Sequence, residues 1–195
     1  MNQNPELILS ILTPAIPERW ESLKALHAKV QAQIDRENGA VEHLMFVDNR
    51  RRSVGKKRDA LLRMARGKYV AFVDDDDGIS EDYIREILTA SQQNPDVITF
   101  QQRAMIAGQV GTVEFKLGNV DEPFRADGLT KRNAWHVCPW RTTLAICSGF
   151  PDTNYGEDIA YAAPLCKTPG LKEAHIPKIL HFYTYDAEVS RALPS

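Results

Sequence analysis

Four consecutive carboxylates, Asp74 to Asp77, stand directly behind a short apolar run, Tyr69-Val-Ala-Phe-Val73, and directly ahead of Gly78-Ile-Ser80. Like charges this close disfavour one another's ionised forms, so the run calls for a counter-charge. A divalent cation supplies one: Mg²⁺ and Mn²⁺ take hard oxygen ligands, and Mg²⁺ is commonly held by one or two carboxylates completed by substrate phosphates. If the strand continued through the run, alternation would turn Asp74 and Asp76 to one side and Asp75 and Asp77 to the other. A solvated acidic loop is the plainer reading of a charge run, but such a loop is not usually spliced without a linker between a buried strand and a helix start.

A second charged segment, Arg50 to Arg58, holds six Lys or Arg in nine residues. Phosphates of a small ligand or of a nucleic acid are its natural partners. We divide it: Lys57 and Arg58, beside the following helix, belong to a ligand site, and Arg50 to Arg52 to the surface. Around Trp140, the island His136, Pro139, Trp140 and Arg141 offers either a ring for stacking and a cation for a phosphate, or ordinary core packing. His27 and His43 sit among apolar residues and read as structural. Cys138, Cys147 and Cys166 lack the spacing of zinc ligands. Their odd number and the lack of a leader-like segment favour a reducing, cytoplasmic setting.

The elements that must position these groups follow from periodicity. Leu7 to Leu12 reads as a strand ending at Thr13-Pro14. Pro17 opens a helix whose apolar face is Trp20, Leu23, Leu26, Val30 and Ile34, closed by Asn38-Gly39. Val41 to Val47 is a second strand, and Asp48-Asn49 its end. Asp59 to Ala65 is helical, with Gly67 after it, and Tyr69 to Val73 is the third strand. Ser80 caps the next helix, with Glu81 and Asp82 in its first turn. Val97 to Phe100 is a fourth strand. Ala104 to Phe115 suits a hairpin, Gly118 to Arg132 a mobile loop, Glu157 to Cys166 a helix and Leu180 to Tyr185 a last strand. Strand and helix alternate through the first hundred residues, which implies an open, mainly parallel α/β sheet flanked by helices. A small antiparallel element follows in the second half. The acids would then lie at the carboxyl edge of the sheet, where such folds bind ligands.

The chain has 195 residues, 43% hydrophobic and 26% charged, with a formal net charge of -2. That suffices for one domain with a real core, about 1–100 a nucleotide-binding half and about 101–195 an acceptor and catalytic half. The charge balance lacks the basicity of a dedicated nucleic-acid binder, and no apolar stretch approaches the roughly 20 residues needed to span a bilayer.

Ser10-Ile-Leu-Thr-Pro14, Val47-Asp-Asn49, Ser53-Val-Gly-Lys-Lys-Arg58, Gly67 to Asp77 and Gly156-Glu-Asp158 occur in that order. The series resembles the family-2 glycosyltransferases of GT-A fold, nearest to small bacterial and bacteriophage members. The resemblance covers residues 7 to 100 and then only islands. It implies a metal-dependent (Mn²⁺ or Mg²⁺), inverting transfer of a sugar from a nucleotide-sugar donor, UDP-linked by preference, to an acceptor hydroxyl. The acceptor is left open among a glycan, a lipid-linked sugar, a protein and a modified nucleic-acid base. Residue by residue, it implies that Thr13 and Pro14 border the nucleotide and that Asp48 meets the base. Asp74 and Asp76 match the family's Asp-x-Asp element, with Asp76 the direct metal ligand and Asp75 an alternative contact to the ribose. Asp158 matches the catalytic base, with Glu157 its neighbour, and His181 a late histidine at metal or diphosphate.

Other classes compete with this reading. A nucleotidyltransferase shares the sheet and metal logic but carries a glycine-rich basic loop after the first strand, where this chain has Thr13-Pro14-Ala15-Ile16-Pro17. A non-catalytic nucleotide-sugar binder would have no use for the acid pair Glu157-Asp158. A nucleic-acid-binding module would rest on Arg50 to Arg58 alone.

Overall fold

The computed structural model describes residues 6–37 and 40–185. Strand β1 (Leu9–Ala15) is buried along its whole length and lies between β2 (Val41–Val47) and β3 (Tyr69–Phe72), parallel to both. Helix α1 (Trp20–Ile34), entered through a 3₁₀ turn at Pro17–Arg19, links β1 to β2, and α2 (Val54–Met64) links β2 to β3. The two crossovers step in opposite directions along the sheet. Right-handedness therefore sets their helices on opposite faces. Helix α3 (Tyr83–Ser91) packs with α1, while α4 (Thr142–Ser148) and α5 (Glu157–Cys166) pack with α2.

The expected fourth strand is longer than its apolar run. β5 (Val97–Ile106) continues through Arg103 into a hairpin with β6 (Gln109–Phe115), turning at Ala107 and Gly108 with φ of 50° and 76°. Two successive positive φ values are the I′ geometry that matches strand twist. β5 does not pair with β3. The two-residue β8 (Trp140–Arg141) lies between them, antiparallel to both, and gives the sheet the order β2-β1-β3-β8-β5-β6-β7. Trp140 is fully buried there and donates its Nε1–H to the Trp135 carbonyl at 3.0 Å, so it is a core residue. Arg141 is committed to protein acceptors: it donates to Asp96 Oδ1 at 3.0 Å and to the Pro95 carbonyl at 2.6 Å.

Other expectations are corrected by longer-range contacts. The segment expected as a mobile loop ends in β7 (Leu129–Arg132), parallel to β6. The last strand, β9 (Glu173–Tyr185), begins seven residues earlier than its apolar run and pairs with β5 in parallel, with register shifts between Thr99 and Gln102. Pro177, with no N–H to give the ladder, lies in that irregular stretch. β4 (Gly78–Ile79) pairs with β9 on its other side. Ser80 does not cap α3. Its hydroxyl donates to Asp82 Oδ1, and Gln33 of α1, buried, takes the capping role by accepting from Ile84 N–H at 3.0 Å. Trp20 is 51% exposed, so the buried face of α1 is Leu23, Leu26, Val30 and Gln33. The stop expected at Asn38-Gly39 lies outside the described residues.

Polar cross-links register the first three strands. Ser10 donates to Glu42 at 2.7 Å and accepts from Gly67 N–H at 2.8 Å, and a Cβ on Gly67 would sit 2.6 Å from the Ser10 nitrogen. Only glycine fits that approach. Thr13 shares a hydrogen bond with His43 Nε2 at 2.9 Å, and His43 Nδ1 meets His27 Nδ1 at 3.1 Å. One ring nitrogen must therefore lack a proton. Burial, and secondarily His27, lowers His43 to about 4 from 6.5. The unfolded chain thus takes a proton that the fold refuses as pH falls below 6.5. We expect stability to be complete above that pH and to drop by up to about 3 kcal/mol towards pH 4. Urea unfolding across this range should show a slope in wild type that is flattened in His43→Gln; equal slopes would exclude this account.

Candidate active site

The acidic run does not continue the strand. After Val73 it folds into a tight turn closed by Asp77 N–H to Asp74 O at 3.0 Å, so strand alternation does not govern the four side chains. Asp75 and Asp76 share one partner, while Asp74 and Asp77 each have their own. Asp74 Oδ2 accepts from Arg58 at 2.8 Å, while its Oδ1 is buried without a hydrogen bond. Asp75, 3% exposed, accepts from Ile16 N–H and from Arg19, both at 3.0 Å. Asp76, 37% exposed, meets the same Arg19 nitrogen at 3.0 Å. Asp77 faces His181 Nε2 at 3.3 Å, both buried.

Burial raises Asp75, Asp76 and Asp77 above the usual carboxylate range, against the pull of Arg19 on the first two and of His181 on the third. Burial and the three flanking acids leave Asp76 at about 7 in spite of Arg19. The turn is thus short of positive charge even with its protein partners in place.

Arg58 belongs to a helix rather than to a loop. α2 begins at Val54, capped by Ser53 Oγ, which accepts from Lys56 N–H at 3.1 Å. Lys57 and Arg58 therefore point inward from its first two turns, buried. Lys57 lies 3.6 Å from Asp48 and donates to the Ala15 carbonyl at 3.3 Å. Arg58 stands between Asp74 and Glu157, 3.7 Å from the latter, with its guanidinium 5.5 Å from the centre of the Phe72 ring. The chain 151–156 docks on the same helix end. Gly55 N–H donates to Thr153 O at 3.0 Å, and a Cβ on Gly55 would meet the Pro151 carbonyl at 1.9 Å.

α5 follows, with Gly156 in the left-handed region at φ 75°. Glu157 is buried and raised by that burial against the Arg58 charge, whereas Asp158 is half-exposed and lines a cavity of about 300 Å³. Asp74 and Asp77 line the same cavity, and Phe115 and Trp135 form part of its apolar wall. His136, half-buried on its wall, is pushed well below its ordinary value by desolvation and then by Arg58, and stays neutral.

Arg58, Asp74, Asp77 and Asp158 thus meet at one cavity. Glu157 stands behind them, and His181 is joined through Asp77 and through Gln102 Oε1 at 3.1 Å from Nδ1. Asp48 and Lys57 sit at the mouth of β1 beside Ala15. Thr13 and Pro14 do not border that mouth, since β1 runs on through them to Ala15 and buries both. Asp75 has both oxygens committed to protein donors. The sequence reading missed Arg19 and Gln102, each of which is marked only by what it faces in the fold.

Among the described residues no three His, Cys, Asp or Glu side chains gather into a ready metal cage. The donor set nevertheless suits a hard cation. Asp74 Oδ1 and His181 Nε2 are buried without hydrogen-bond partners, and the turn needs positive charge. One or two carboxylates completed by phosphate is the expected mode for Mg²⁺.

Residues 42–143, just over half of the chain, match the family model for glycosyl transferase family 2. No curated protein matches the chain. Among solved structures, that of S. aureus TarS 1-349 in complex with UDP-GlcNAc is similar at 14% identity and a TM-score of 0.61, over 92% of this chain and 59% of that one. The UDP complex of the same protein gives 12% identity and a TM-score of 0.60, over 95% and 63%. At this identity the likeness shows the fold alone, and the chain spans about three fifths of those structures.

The charge deficit at Asp76 generates a test. Asp76→Asn removes a carboxylate that costs folding stability progressively from pH 3.8 upward and in full above about pH 7. We expect the variant, free of divalent cations at pH 8, to be more stable by about 1–2 kcal/mol, a figure reduced for the side chain's exposure. Differential scanning calorimetry should show the rise in Tm; a fall would mean that the Arg19 pair outweighs the repulsion.

Proposed function

The chain belongs to glycosyl transferase family 2, and from that premise we propose that it moves a sugar from a nucleotide-sugar donor to an acceptor hydroxyl with inversion at the anomeric carbon. One observation carries the reading: Asp74 and Asp77, the two ends of the acidic turn, and the half-exposed Asp158 line a single cavity large enough for a sugar ring.

The nucleotide end belongs at the mouth of β1, where Asp48 accepts from the Arg50 N–H at 3.1 Å and is held by Lys57. A carboxylate so fixed can accept from the N–H of a base. The TarS complexes with UDP and UDP-GlcNAc support a uridine diphosphate donor here. Asp74 and Asp76 would hold Mn²⁺ or Mg²⁺, with Asp77 and His181 behind them. When bound, the cation supplies Lewis-acid stabilisation of the departing diphosphate.

The protein's own residues do the remaining work. Arg58 holds Asp74 in place and lends positive charge to the end of the cavity where negative charge would build. Arg19 neutralises part of the turn, so that Asp75 fixes the Ile16 backbone. Asp158 stands at the cavity as the group to take the acceptor's proton as its oxygen attacks; a carboxylate within hydrogen-bond reach suffices. Glu157, buried against Arg58, orients the start of α5 and is a positioning residue. A single displacement leaves no covalent sugar–protein intermediate and inverts the anomeric centre.

Asp158→Asn should lower the transfer rate about 10²–10⁴-fold, the usual contribution of a positioned base, while donor binding persists by calorimetry. Proton NMR of the first product formed should show the configuration opposite to the donor's. Retention, or full activity in the Asn variant, would defeat the mechanism.

A further inference from the structure

The cavity has an end that transfer chemistry alone does not use. Arg132, on β7, lines it and lies 5.5 Å from the centre of the Trp135 ring. Among the described residues no carboxylate pairs with its guanidinium, and no hydrogen bond from its side chain is found. The other arginines that are not exposed among the described residues, Arg19, Arg50, Arg58 and Arg141, each hold an acid. β7 lies two strands beyond β5, and so about 10 Å across the sheet from it. The acids at Asp74 and Asp77 do not fill the gap.

Two further residues of the same wall carry buried, unpartnered nitrogens, Trp135 Nε1 and His136 Nδ1. Buried polar groups are seldom left unpaired, so a cluster of them on one cavity marks ligand contacts. The flat faces of Trp135 and Phe115 suit the C–H side of a sugar ring, and the nitrogens suit its oxygens. A guanidinium pinned on an indole is preorganised for a planar or tetrahedral oxyanion.

We propose that this end of the cavity accepts a sugar bearing an anionic oxygen substituent, a carboxylate or a phosphate, with Arg132 as its specificity-determining contact. The proposal rests on the transferase reading and adds the substrate's charge to it. Two sources supply such a sugar, the transferred group of the donor and the acceptor.

Calorimetry with Mn²⁺ present separates these sources. One pair of titrations compares UDP-glucuronate with UDP-glucose. The other, on protein saturated with UDP, compares glucose 6-phosphate with methyl glucoside. A charge-assisted hydrogen bond makes the anionic member of one pair about 10–100-fold tighter, and which pair responds identifies donor or acceptor. Arg132→Gln, checked for fold by circular dichroism, should abolish that preference. Arg132→Lys, which keeps the charge but not the fork, should reduce it in part, and carries the test if the Gln variant does not fold. UDP binding with no preference in either pair, or a preference that survives both substitutions, overturns this inference and leaves the transferase reading standing. Failure of wild type to bind UDP at all overturns both.

Discussion

The structure depends on one buried cation. Arg58 is 5% exposed and lies between Asp74 on the turn after β3 and Glu157 at the start of α5. A guanidinium so deeply desolvated is tolerable only with acids against it, and removing one partner of such a pair typically costs about 3–5 kcal/mol. The arrangement therefore fastens three separate pieces of chain together at the cavity: the helix after β2, the end of β3 and the helix that carries Asp158. The Phe72 ring beneath it and the neutral His136 beside it complete a dry setting in which that charge acts strongly. The acidic turn keeps its shape because its excess charge is shared between Arg58 and Arg19, and its remaining deficit is what a bound cation would meet.

The family match supports this economy without explaining it. The matched residues, 42–143, include the acidic turn and Arg58 but not Glu157, Asp158 or His181. The second half of the constellation is reached by tertiary structure: Gly55 lets the chain before α5 lie against the first turn of α2, and β9 carries His181 to Asp77.

Much of the first hundred residues was legible because local pattern and global fold agree there. β2 and α5 have the bounds their apolar residues predict, Val41–Val47 and Glu157–Cys166. Errors arose where a residue answers to a distant neighbour. Gly55 reads as loop, yet it is a helical glycine demanded by Pro151. Ser80 looks like a cap, yet Gln33 from another helix does that work. Arg141 looks like a phosphate ligand, yet Asp96 claims it. The acids looked like strand residues, but a turn hydrogen bond redirects them. β7 and β8 are short segments with little periodicity of their own, and only the strands beside them make them strands. The candidate site was half legible for the same reason: Asp74, Asp76 and Asp158 stand in recognisable strings, whereas Arg19, Gln102 and Arg132 gain meaning only from what they face.

β9 has a consequence for the order in which the molecule is assembled. It lies along nearly the whole of β5, and it alone brings His181 to the acidic turn, more than a hundred positions earlier in the chain. Pairings between such distant segments form late, because a large loop must close before they return anything. Until that strand docks, one side of β5 is an open edge with unpaired backbone groups, and Asp77 has no imidazole beside it. The three parallel strands at the amino-terminal side can form on their own contacts, but the wall behind Asp77 is completed only when β9 docks.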